Sequence, residues 1–579
     1  MQGLPEEEFS FKKYFIPLTT AKAITWIIVI GLVVYCSSLF NGFVWDDEGQ
    51  ILNNTIVHSL NNIPSLLRGG TFIVGINQVA SNYYKPLLPI TFTFLYSLFG
   101  PNAFFFHFLQ VILHISNACM VFLLFSKFFS KKISMLLSTI FLIHPINTEA
   151  VAYISALQEP LFFFFGLLAL LLIVYKKLNS TNNVIVFSLL FLSVLSKETG
   201  FLFLGITFVY LLLFKNRKLF PYLIYYVCLI SIYLFLRLYL AEPNLINQQL
   251  APISRASLPI RLYTMPSIIF FYLKDFFFPS NLAVSQDWLV QIPSLKNFYV
   301  PLFLDLVFFG SFLFVGIRMY LTKNKLLHSF MFFYLWLLIG IAFHLQLFPL
   351  DMTFAERWFY FPIVGLLGLL GILLYLTKVN FKSRWVLIIV TVTLSILGTI
   401  TITRNSDWKD DQSLFLHDVK INTTSYSMEN SAGAVLYQLG DIKEAKYHFL
   451  RSSQLAPYYW INWYDLGTLV EGQGQYGLAE KYYQKSIDTG YYEGAYVNIA
   501  ILYLKKNDYK NVERISSKGL QKFPRDYRLM LALAAADYEM DKYKDALKNA
   551  KDAYTILPND NTNYFLSKIS QKLPLDLKF

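Results

Sequence analysis

The stretch ITWIIVIGLVVYCSSLFNGFVWDDE, residues 24–48, sets a long apolar run directly against three carboxylates. Its first part, 24–40, is long and apolar enough for a membrane helix, and it lacks a clear small-residue cleavage site. We therefore expect a retained first span. Acidic side chains are costly near hydrocarbon, so the cluster Asp46, Asp47 and Glu48 needs a reason. Two interpretations stay open at this point: a solvated acidic loop, or a catalytic carboxylate pair at the membrane surface.

The composition of the whole chain is that of a membrane protein. Its 579 residues are 55% hydrophobic and 15% charged, whereas a soluble domain carries about 25% charged residues. The net charge of +12 comes mostly from short basic clusters between apolar runs, which argues against nucleic-acid binding and indicates orientation signals. The cysteines each lie inside an apolar run and predict neither a disulfide framework nor a metal site; they are Cys36, Cys119 and Cys228.

Eleven apolar segments are candidates for membrane spans and predict an all-α membrane domain over 1–403. They are 22–40, 103–126, 133–150, 158–175, 182–196, 200–214, 219–240, 299–317, 328–349, 359–377 and 385–403. Two more apolar segments, 86–99 and 264–279, are interrupted by proline or charge, and we interpret them as interfacial or re-entrant pieces.

Basic residues occur in every second connection, which the positive-inside rule assigns to the cytoplasm. The clusters are Lys12, Lys13 and Lys22; Lys127, Lys131 and Lys132; Lys176 and Lys177; Lys215, Arg217 and Lys218; Arg318, Lys323 and Lys325; and Lys378, Lys382 and Arg384. The other connections then face outward, including the two long loops 41–102 and 241–298. Most ionisable residues at span ends without an orientation role share this face, where we expect a substrate site.

A second kind of sequence follows 403. Ala445, Ala479, Val512 and Ala546 recur at spacings of 34, 33 and 34 residues, the period of tetratricopeptide repeats, in which paired helices stack into a solenoid with a concave face. The predicted units are 426–459, 460–492, 493–526 and 527–558, after a connecting segment 404–425 and before a capping helix and tail, 559–579. Three units close at a proline and the second at Tyr491. An odd number of spans places the repeats on the outward side.

Carboxylates and a cation at the outward span ends could carry chemistry. A carboxylate near a bilayer can have a raised pKa that suits a general base, which makes Asp46 and Asp47 candidates; a polar cap at a helix end is the alternative. Arg357 follows Glu356 at a predicted helix end and has the paired donors to hold a lipid-linked phosphate. An interfacial anchor is the alternative for Arg357.

Histidines and one lysine form a second group of candidates. His144 precedes Glu149 by five residues and can share a surface with it, or be a satisfied interfacial histidine. His107 and His114 lie one to two turns apart on the second span, facing a cavity or packing against a helix. Lys197 and its neighbour Glu198 form either a local ion pair or part of the site. The sequence contains no Walker loop, nucleotide-binding glycine motif or metal-thiolate set, which argues against a nucleotide donor on the cytoplasmic face.

In ordered combination these motifs resemble the transmembrane and tetratricopeptide repeat-containing O-mannosyltransferases over nearly the whole chain. The matching stretches are Phe43-Val44-Trp45-Asp46-Asp47 with Ile51 and Asn53, Tyr84-Lys85-Pro86-Leu87, Phe106-His107, Leu113-His114, His144-Pro145, Glu149-Ala150-Val151, Lys197-Glu198-Thr199-Gly200, Ala355-Glu356-Arg357, Thr403-Arg404-Asn405, Asp407-Trp408 and Ser413-Leu414-Phe415. The chain departs from the family at Lys85, where arginine is usual. It also lacks a Gly-Arg pair after the His-Pro block, where Ser155-Ala156-Leu157-Gln158-Glu159 stands.

The resemblance implies a C-type glycosyltransferase fold and an inverting transfer of mannose from dolichyl phosphate, or a shorter polyprenyl phosphate in a prokaryote, to a serine or threonine of a protein. It makes Asp46 or Asp47 the base of the first outward loop. We predict Arg357, Lys85 and Lys197 at the donor phosphate, and a supporting polar set of His107, His144, Glu149, Glu198 and Glu356.

The acceptor is expected on the concave face of the repeats. No cofactor is indicated with certainty. Carboxylates and histidines that could bind a divalent metal ion are present, but their spacing does not require one. The membrane would be the plasma membrane in a prokaryote and the endoplasmic reticulum in a eukaryote. Two alternatives stay open: a non-enzymatic membrane scaffold whose repeats recruit partners, and a transporter of lipid-linked sugars.

Overall fold

The computed structural model describes residues 18–68, 72–73, 79–80, 83–215, 219–241, 251–490 and 492–576. Within them the chain is helical apart from two strands of two residues, β1 (Phe72–Ile73) and β2 (Val79–Ala80), so the predicted all-α class is confirmed. The described chain forms two compact units. The apolar unit comprises Met1–Phe72 and Val79–Ile421, and the repeat unit comprises Ile73–Gln78 and Asn422–Phe579. The predicted signals at Lys12, Lys13, Arg217, Lys218 and Tyr491 lie outside the described residues.

The apolar unit contains seventeen α-helices in its described residues. They are α1 (Thr20–Tyr35), α2 (Ile63–Leu66), α3 (Leu87–Phe99), α4 (Ala103–Ser126), α5 (Lys131–Ile143), α6 (Thr148–Ala152), α7 (Gln158–Tyr175), α8 (Ser180–Ser196), α9 (Phe201–Phe214), α10 (Leu219–Phe235), α11 (Pro252–Arg255), α12 (Leu258–Phe277), α13 (Val300–Leu321), α14 (Leu327–Ala342), α15 (Pro362–Leu376), α16 (Arg384–Asp407) and α17 (Asp411–Ile421).

Short 3₁₀ and π turns connect or extend these helices. They are Ser37–Phe40, Glu48–Leu52, Thr55–His58, Leu60–Asn62, Pro145–Asn147, Ile154–Ala156, Glu198–Gly200, Leu236–Leu240, Leu295–Tyr299 and Glu356–Tyr360.

Five helical segments are long and apolar enough to cross a membrane by length and composition. They are Ala103–Ser126, Ile154–Tyr175, Leu219–Tyr239, Leu295–Leu321 and Arg384–Asp407. Six shorter apolar helices accompany them, and each predicted span coincides with an apolar helix or helix pair. The presence of apolar helices is confirmed, while the count of eleven crossings stays a prediction. The two interrupted segments are also helical, as α3 and as α12, which continues across Pro266.

The predicted span 133–150 corresponds to a bent pair of helices. Helix α5 ends at Ile143, and the following piece, Pro145–Ala152, is bent away by 50°. Pro145 cannot donate a backbone hydrogen bond, and it disfavours helical dihedrals at His144, which is extended with φ −72° and ψ 126°. The His144 side chain then accepts a hydrogen bond from the backbone N–H of Ile146, so the chain turns sharply and starts a new helix.

The core of the apolar unit depends on close helix packing. Helix α15 places Gly365 and Gly368 against α14: a Cβ on Gly365 would lie 2.5 Å from the backbone nitrogen of Leu337, and one on Gly368 would lie 2.2 Å from the Phe333 ring. Small residues allow this approach, which favours association of apolar helices. On α14, the indole N–H of Trp336 donates a hydrogen bond to the backbone carbonyl of Phe361 at 3.0 Å.

The repeat unit consists of consecutive helices that pack in pairs. They are α18 (Tyr426–Gln438), α19 (Ile442–Leu455), α20 (Trp460–Gly472), α21 (Tyr476–Thr489), α22 (Glu493–Lys505), α23 (Tyr509–Lys522), α24 (Tyr527–Glu539), α25 (Tyr543–Ile556) and α26 (Asp560–Ser570). Small residues on the first helix of a pair meet large residues on the second helix. A Cβ on Gly467 would lie 2.5 Å from the Tyr483 ring, and one on Gly433 would lie 2.7 Å from the Phe449 ring.

Candidate active site

The two adjacent carboxylates of the first loop have different surroundings. Asp47 is fully buried, and both of its oxygens accept hydrogen bonds. One oxygen accepts from the backbone N–H (2.7 Å) and the hydroxyl (2.6 Å) of Ser155, and the other accepts from the backbone N–H of Val44 (3.1 Å). Burial raises the pKa of Asp47 to about 7, against the lowering effect of these bonds. Asp47 therefore ties the first loop to the segment after the bent helix pair.

Asp46 accepts fewer hydrogen bonds than Asp47. Its Oδ2 accepts a hydrogen bond from the Tyr153 hydroxyl at 2.7 Å, and its Oδ1 has no hydrogen-bond partner in the described part of the chain. Burial raises the pKa of Asp46, while the Tyr153 bond and the charges of Arg357 and Lys85 lower it. A carboxylate with one open oxygen beside cations has the features of a general base.

Backbone geometry presents Asp46 in this position. The preceding residue, Trp45, has φ +54°, a left-handed conformation that is rare for a bulky residue and is kept only where neighbours enforce it. The backbone N–H of Trp45 donates to the carboxylate of Asp411 at 2.8 Å. The indole ring of Trp45 stacks on Tyr153 with centroids 5.4 Å apart. Tyr153 in turn stacks on Trp408 at 5.2 Å.

Arg357, predicted at the donor phosphate, is paired with Glu149. Its guanidinium contacts one Glu149 oxygen, and its backbone N–H donates to the other at 2.9 Å. Both residues are buried. Burial lowers the pKa of Arg357, but the carboxylates of Glu149 and Asp351 more than offset this and leave it raised. The cation is thus permanent, and Glu149 is its ion-pair partner in the described residues.

The two predicted lysines contact residues of 155–159, the stretch that departs from the family pattern. The Lys85 ammonium donates to Gln158 Oε1 at 2.6 Å, and the Lys197 ammonium contacts the carboxylate of Glu159. Burial lowers the pKa of Lys85 to about 8, with a further lowering by the charge of Lys197. Asp46 and Arg357 also act on Lys85, so these charged groups lie within one electrostatic neighbourhood.

Glu356 and Glu198 occupy separate surroundings. Glu356 is fully buried, and neither of its carboxylate oxygens has a hydrogen-bond partner in the described residues. Burial raises its pKa well above the usual value. Glu198 contacts the guanidinium of Arg237 and accepts from the Tyr233 hydroxyl at 3.2 Å, so it belongs to a neighbouring ion pair with the turn Leu236–Leu240 that follows α10.

The histidines bond to backbone groups. One His107 nitrogen lies 3.2 Å from the carbonyl of Gly42, which fixes the start of the acidic loop. His144 lies 2.9 Å from the carbonyl of Phe276 and uses its other nitrogen at Ile146. His114 lies between the Leu142 carbonyl and the Tyr360 hydroxyl. Within the described residues no group of three or more His, Cys, Asp or Glu side chains is arranged to hold a metal ion.

The sequence motifs did not identify several residues of the site. Tyr153, Ser155, Gln158 and Asp411 each bond to a residue of the acidic loop or to one of the predicted cations. No periodicity or motif links Tyr153 to Asp46, because 107 residues separate them. The one available signal was the unusual stretch 155–159 itself, which replaces the expected Gly-Arg pair with the partners of Lys85 and Lys197.

Comparisons with known proteins give three curated relatives of similar likeness. The chain is 26% identical to mouse "Protein O-mannosyl-transferase TMTC3" over 484 residues, to the human protein of the same name over 483, and to "Protein O-mannosyl-transferase F38B6.6" of Caenorhabditis elegans over 448. Each match covers 75% of this chain and 51%, 52% and 62% of the relative, respectively. The chain thus spans about half the length of the first two. No protein-family model matches it.

Solved structures are more distant. ArnT from Cupriavidus metallidurans, crystallised with undecaprenyl phosphate, is 14% identical with a TM-score of 0.37 and 78% coverage of both chains. YrrB, described as a TPR protein with an unusual peptide-binding site, is 11% identical with a TM-score of 0.24 over 27% of this chain and 82% of YrrB. Similarities this weak do not support an inference about function. The resemblance predicted from the motifs is confirmed by the curated relatives: over three quarters of its length, this chain is similar to proteins named protein O-mannosyl-transferases.

Proposed function

We propose that this chain is a membrane glycosyltransferase that moves a sugar, with mannose the favoured one, from a polyprenyl phosphate to a serine or threonine hydroxyl of a protein. Transfer takes place on the outward side of the membrane, which holds the first loop. The names of the relatives support the reaction class. The observation that carries the proposal is Asp46, a carboxylate with one open oxygen beside Arg357 and Lys85.

In the proposed reaction the open oxygen of Asp46 takes the proton of the acceptor hydroxyl. The acceptor oxygen forms a bond to the anomeric carbon as the bond from that carbon to the phosphate oxygen breaks. The electron pair leaves with the polyprenyl phosphate, and attack from the opposite face inverts the anomeric carbon. Phosphate is a good leaving group, so stabilising its charge matters more than protonating it.

Three cations would provide that stabilisation. Lys85 and Lys197 are compact charges held by Gln158 and Glu159, and Arg357 is held by Glu149. The charges of Arg357 and Lys85 act on Asp46, so a bound phosphate and the reacting hydroxyl would meet between an anion and cations. In the free protein Glu149 and Glu159 compensate two of the cations, which limits the cost of keeping them buried.

The repeat unit would hold the acceptor polypeptide and raise its local concentration at the site. The first helices of successive pairs carry polar side chains that suit an extended chain. Asn430 on α18 donates to Asp465 on α20 at 2.8 Å, and Asn498 on α22 donates to the Tyr483 hydroxyl at 3.1 Å. These amides and the Asp465 carboxylate are the proposed acceptor contacts.

The test is transfer from radiolabelled polyprenyl-phosphate mannose to an acceptor protein by the full chain in lipid nanodiscs. Asp46→Asn removes the base without changing its size, and we expect the rate to fall about 10²- to 10⁴-fold. The matched control is Asp552→Asn, since Asp552 is exposed on α25, and it should transfer at the unaltered rate. Transfer by Asp46→Asn at the unaltered rate would refute the proposed base.

The same preparation tests the scaffold alternative. A scaffold would transfer no sugar from any polyprenyl phosphate, and it would lose its protein partners on deletion of 430–579. A transferase retains partial hydrolysis or transfer to small acceptors after that deletion, because the proposed chemistry lies in the apolar unit.

A further inference from the structure

Tyr153 is a buried residue of the apolar unit that contacts the proposed base. It is 3% exposed, and its hydroxyl donates to Asp46 Oδ2 at 2.7 Å, an ordinary length for an O–H···O hydrogen bond. A buried tyrosine hydroxyl normally finds one polar partner. Here that partner is the carboxylate with the open oxygen.

The tyrosine ring is held so that its hydroxyl has little freedom. It lies between two indoles, with centroids 5.4 Å from Trp45 at an interplanar angle of 19° and 5.2 Å from Trp408 at 25°. Trp45 is itself fixed by the hydrogen bond from its backbone N–H to the carboxylate of Asp411. Stacked aromatic rings stabilise such an arrangement beyond the area they bury, so the bond direction at Asp46 is set before any substrate binds.

The segment that contains Tyr153 holds both first-loop carboxylates in different ways. Two residues after Tyr153, Ser155 donates twice to Asp47 and leaves it no open oxygen beside the bond from Val44. Tyr153 donates once to Asp46 and leaves Oδ1 open. We propose that Tyr153 is the positioning residue of the base: its hydroxyl holds Oδ2 of Asp46 so that Oδ1 is presented to the acceptor hydroxyl.

This inference rests on the proposed function and extends it to a residue with no counterpart among the motifs that carry the family resemblance. The charged groups that face Asp46 are Arg357, Lys85 and Asp351, with Asp47 next to it in the chain. Burial raises the pKa of Asp46 and the Tyr153 bond lowers it. Burial also raises the pKa of Tyr153 well above its usual value, so its hydroxyl stays a donor.

The test variant is Tyr153→Phe, which keeps the ring between the indoles and removes only the hydroxyl. Losing a hydrogen bond to a charged group should lower kcat about 10- to 100-fold and leave KM for the lipid donor unchanged. The base must be ionised to act, so a raised pKa of Asp46 moves the acid limb of the pH–rate profile to higher pH. A residue that only stabilises the fold would not move this limb.

The matched control is Tyr35→Phe, which removes another buried hydroxyl of the same unit, one that donates to the carbonyl of Leu142 at 3.1 Å. It should keep the unaltered kcat and pH profile. If Tyr153→Phe matches the unaltered protein and Tyr35→Phe in both readouts, the positioning role is refuted while the transferase proposal stands.

A second readout does not depend on transfer. Infrared titration of the full chain in nanodiscs should show a protonated-carboxyl band that is lost in Asp46→Asn. In Tyr153→Phe that band should titrate at higher pH than in the unaltered protein, and an unchanged midpoint would overturn the inference. If the unaltered protein transfers no sugar, the proposed function fails, and this titration still decides whether Tyr153 controls Asp46.

Discussion

Residues of the proposed site in the apolar unit bond to partners far away in the chain, whereas polar side chains of the repeat unit bond to partners within about one repeat. In the apolar unit, 208 residues separate Arg357 from Glu149, and 366 separate Trp45 from Asp411. In the repeat unit, Asn430 and Asp465 are 35 residues apart, one repeat along the chain. Stacked repeats interact mainly with their neighbours, while the proposed site joins segments from the whole length of the apolar unit.

The difference predicts how each unit responds to damage. A lost partner in the apolar unit leaves a buried charge or donor unsatisfied and disturbs several elements at once. A lost contact in the repeat unit acts on one helix pair and its neighbours. Substitutions in the two units can therefore test the contrast, beginning with the buried ion pair.

Arg357→Ala should have the largest effect, because it leaves Glu149 buried without its cation. Breaking a buried pair typically costs about 3–5 kcal/mol of stability, measurable as a fall in thermal unfolding temperature of the full chain in nanodiscs. The double variant Glu149→Gln with Arg357→Met should recover much of that loss. Arg318→Ala, at an exposed position on α13, is the control. An equal, small effect of both arginine substitutions would contradict the pairing.

The second test lies in the repeat unit and compares two glycines. In Gly467→Ala the new methyl group would lie 2.5 Å from the Tyr483 ring, whereas Gly477 has open space around its Cβ position. Overpacking should destabilise Gly467→Ala by about 1–3 kcal/mol. Gly477→Ala should be neutral or stabilising by up to about 1 kcal/mol, from helix propensity. Hydrogen exchange should show faster opening of α20 and α21 in Gly467→Ala alone; similar behaviour of both variants would contradict the predicted helix contact.

The third test uses pH and concerns the Asp465 carboxyl of the repeat unit. Burial raises the pKa of Asp465 to about 7, partly offset by the bond from Asn430. The folded state therefore binds the proton more tightly than the unfolded state, whose aspartate titrates near 4. Stability is favoured at low pH and is lost as pH rises towards 7. Asp465→Asn should flatten the fall in unfolding temperature between about pH 4 and 7. Parallel curves for the two proteins would contradict the raised pKa of Asp465.

Sequence reasoning reached the elements and the candidate residues, but not most of their partners. Apolar runs predict the helices of the apolar unit, and the repeat period predicts the paired helices of the repeat unit, because both depend on local spacing. Pro145 carries a local signal for the bend after Ile143, because a proline disfavours helical dihedrals at the residue before it. Arg357 and Glu149 were each singled out, yet no spacing rule joins residues so far apart.

The pairing of Asp46 with Tyr153 shows the same limit at the site. Two adjacent aspartates look alike in the sequence, and the choice between them depends on hydrogen bonds from a segment more than 100 residues away. The stretch 155–159 departs from the family pattern, and only the folded chain shows that it supplies Ser155 to Asp47 and Gln158 to Lys85.

The most direct measurement compares Asp46→Asn with Asp47→Asn, each assayed for sugar transfer and thermal unfolding in the same nanodiscs. We predict that Asp46→Asn keeps the unfolding temperature and loses transfer, since its open oxygen serves chemistry. Asp47→Asn should lower the unfolding temperature, because an amide cannot accept all three bonds from Ser155 and Val44 as a carboxylate does. The opposite pattern, with transfer retained in Asp46→Asn and lost without destabilisation in Asp47→Asn, would contradict the assignment of the base.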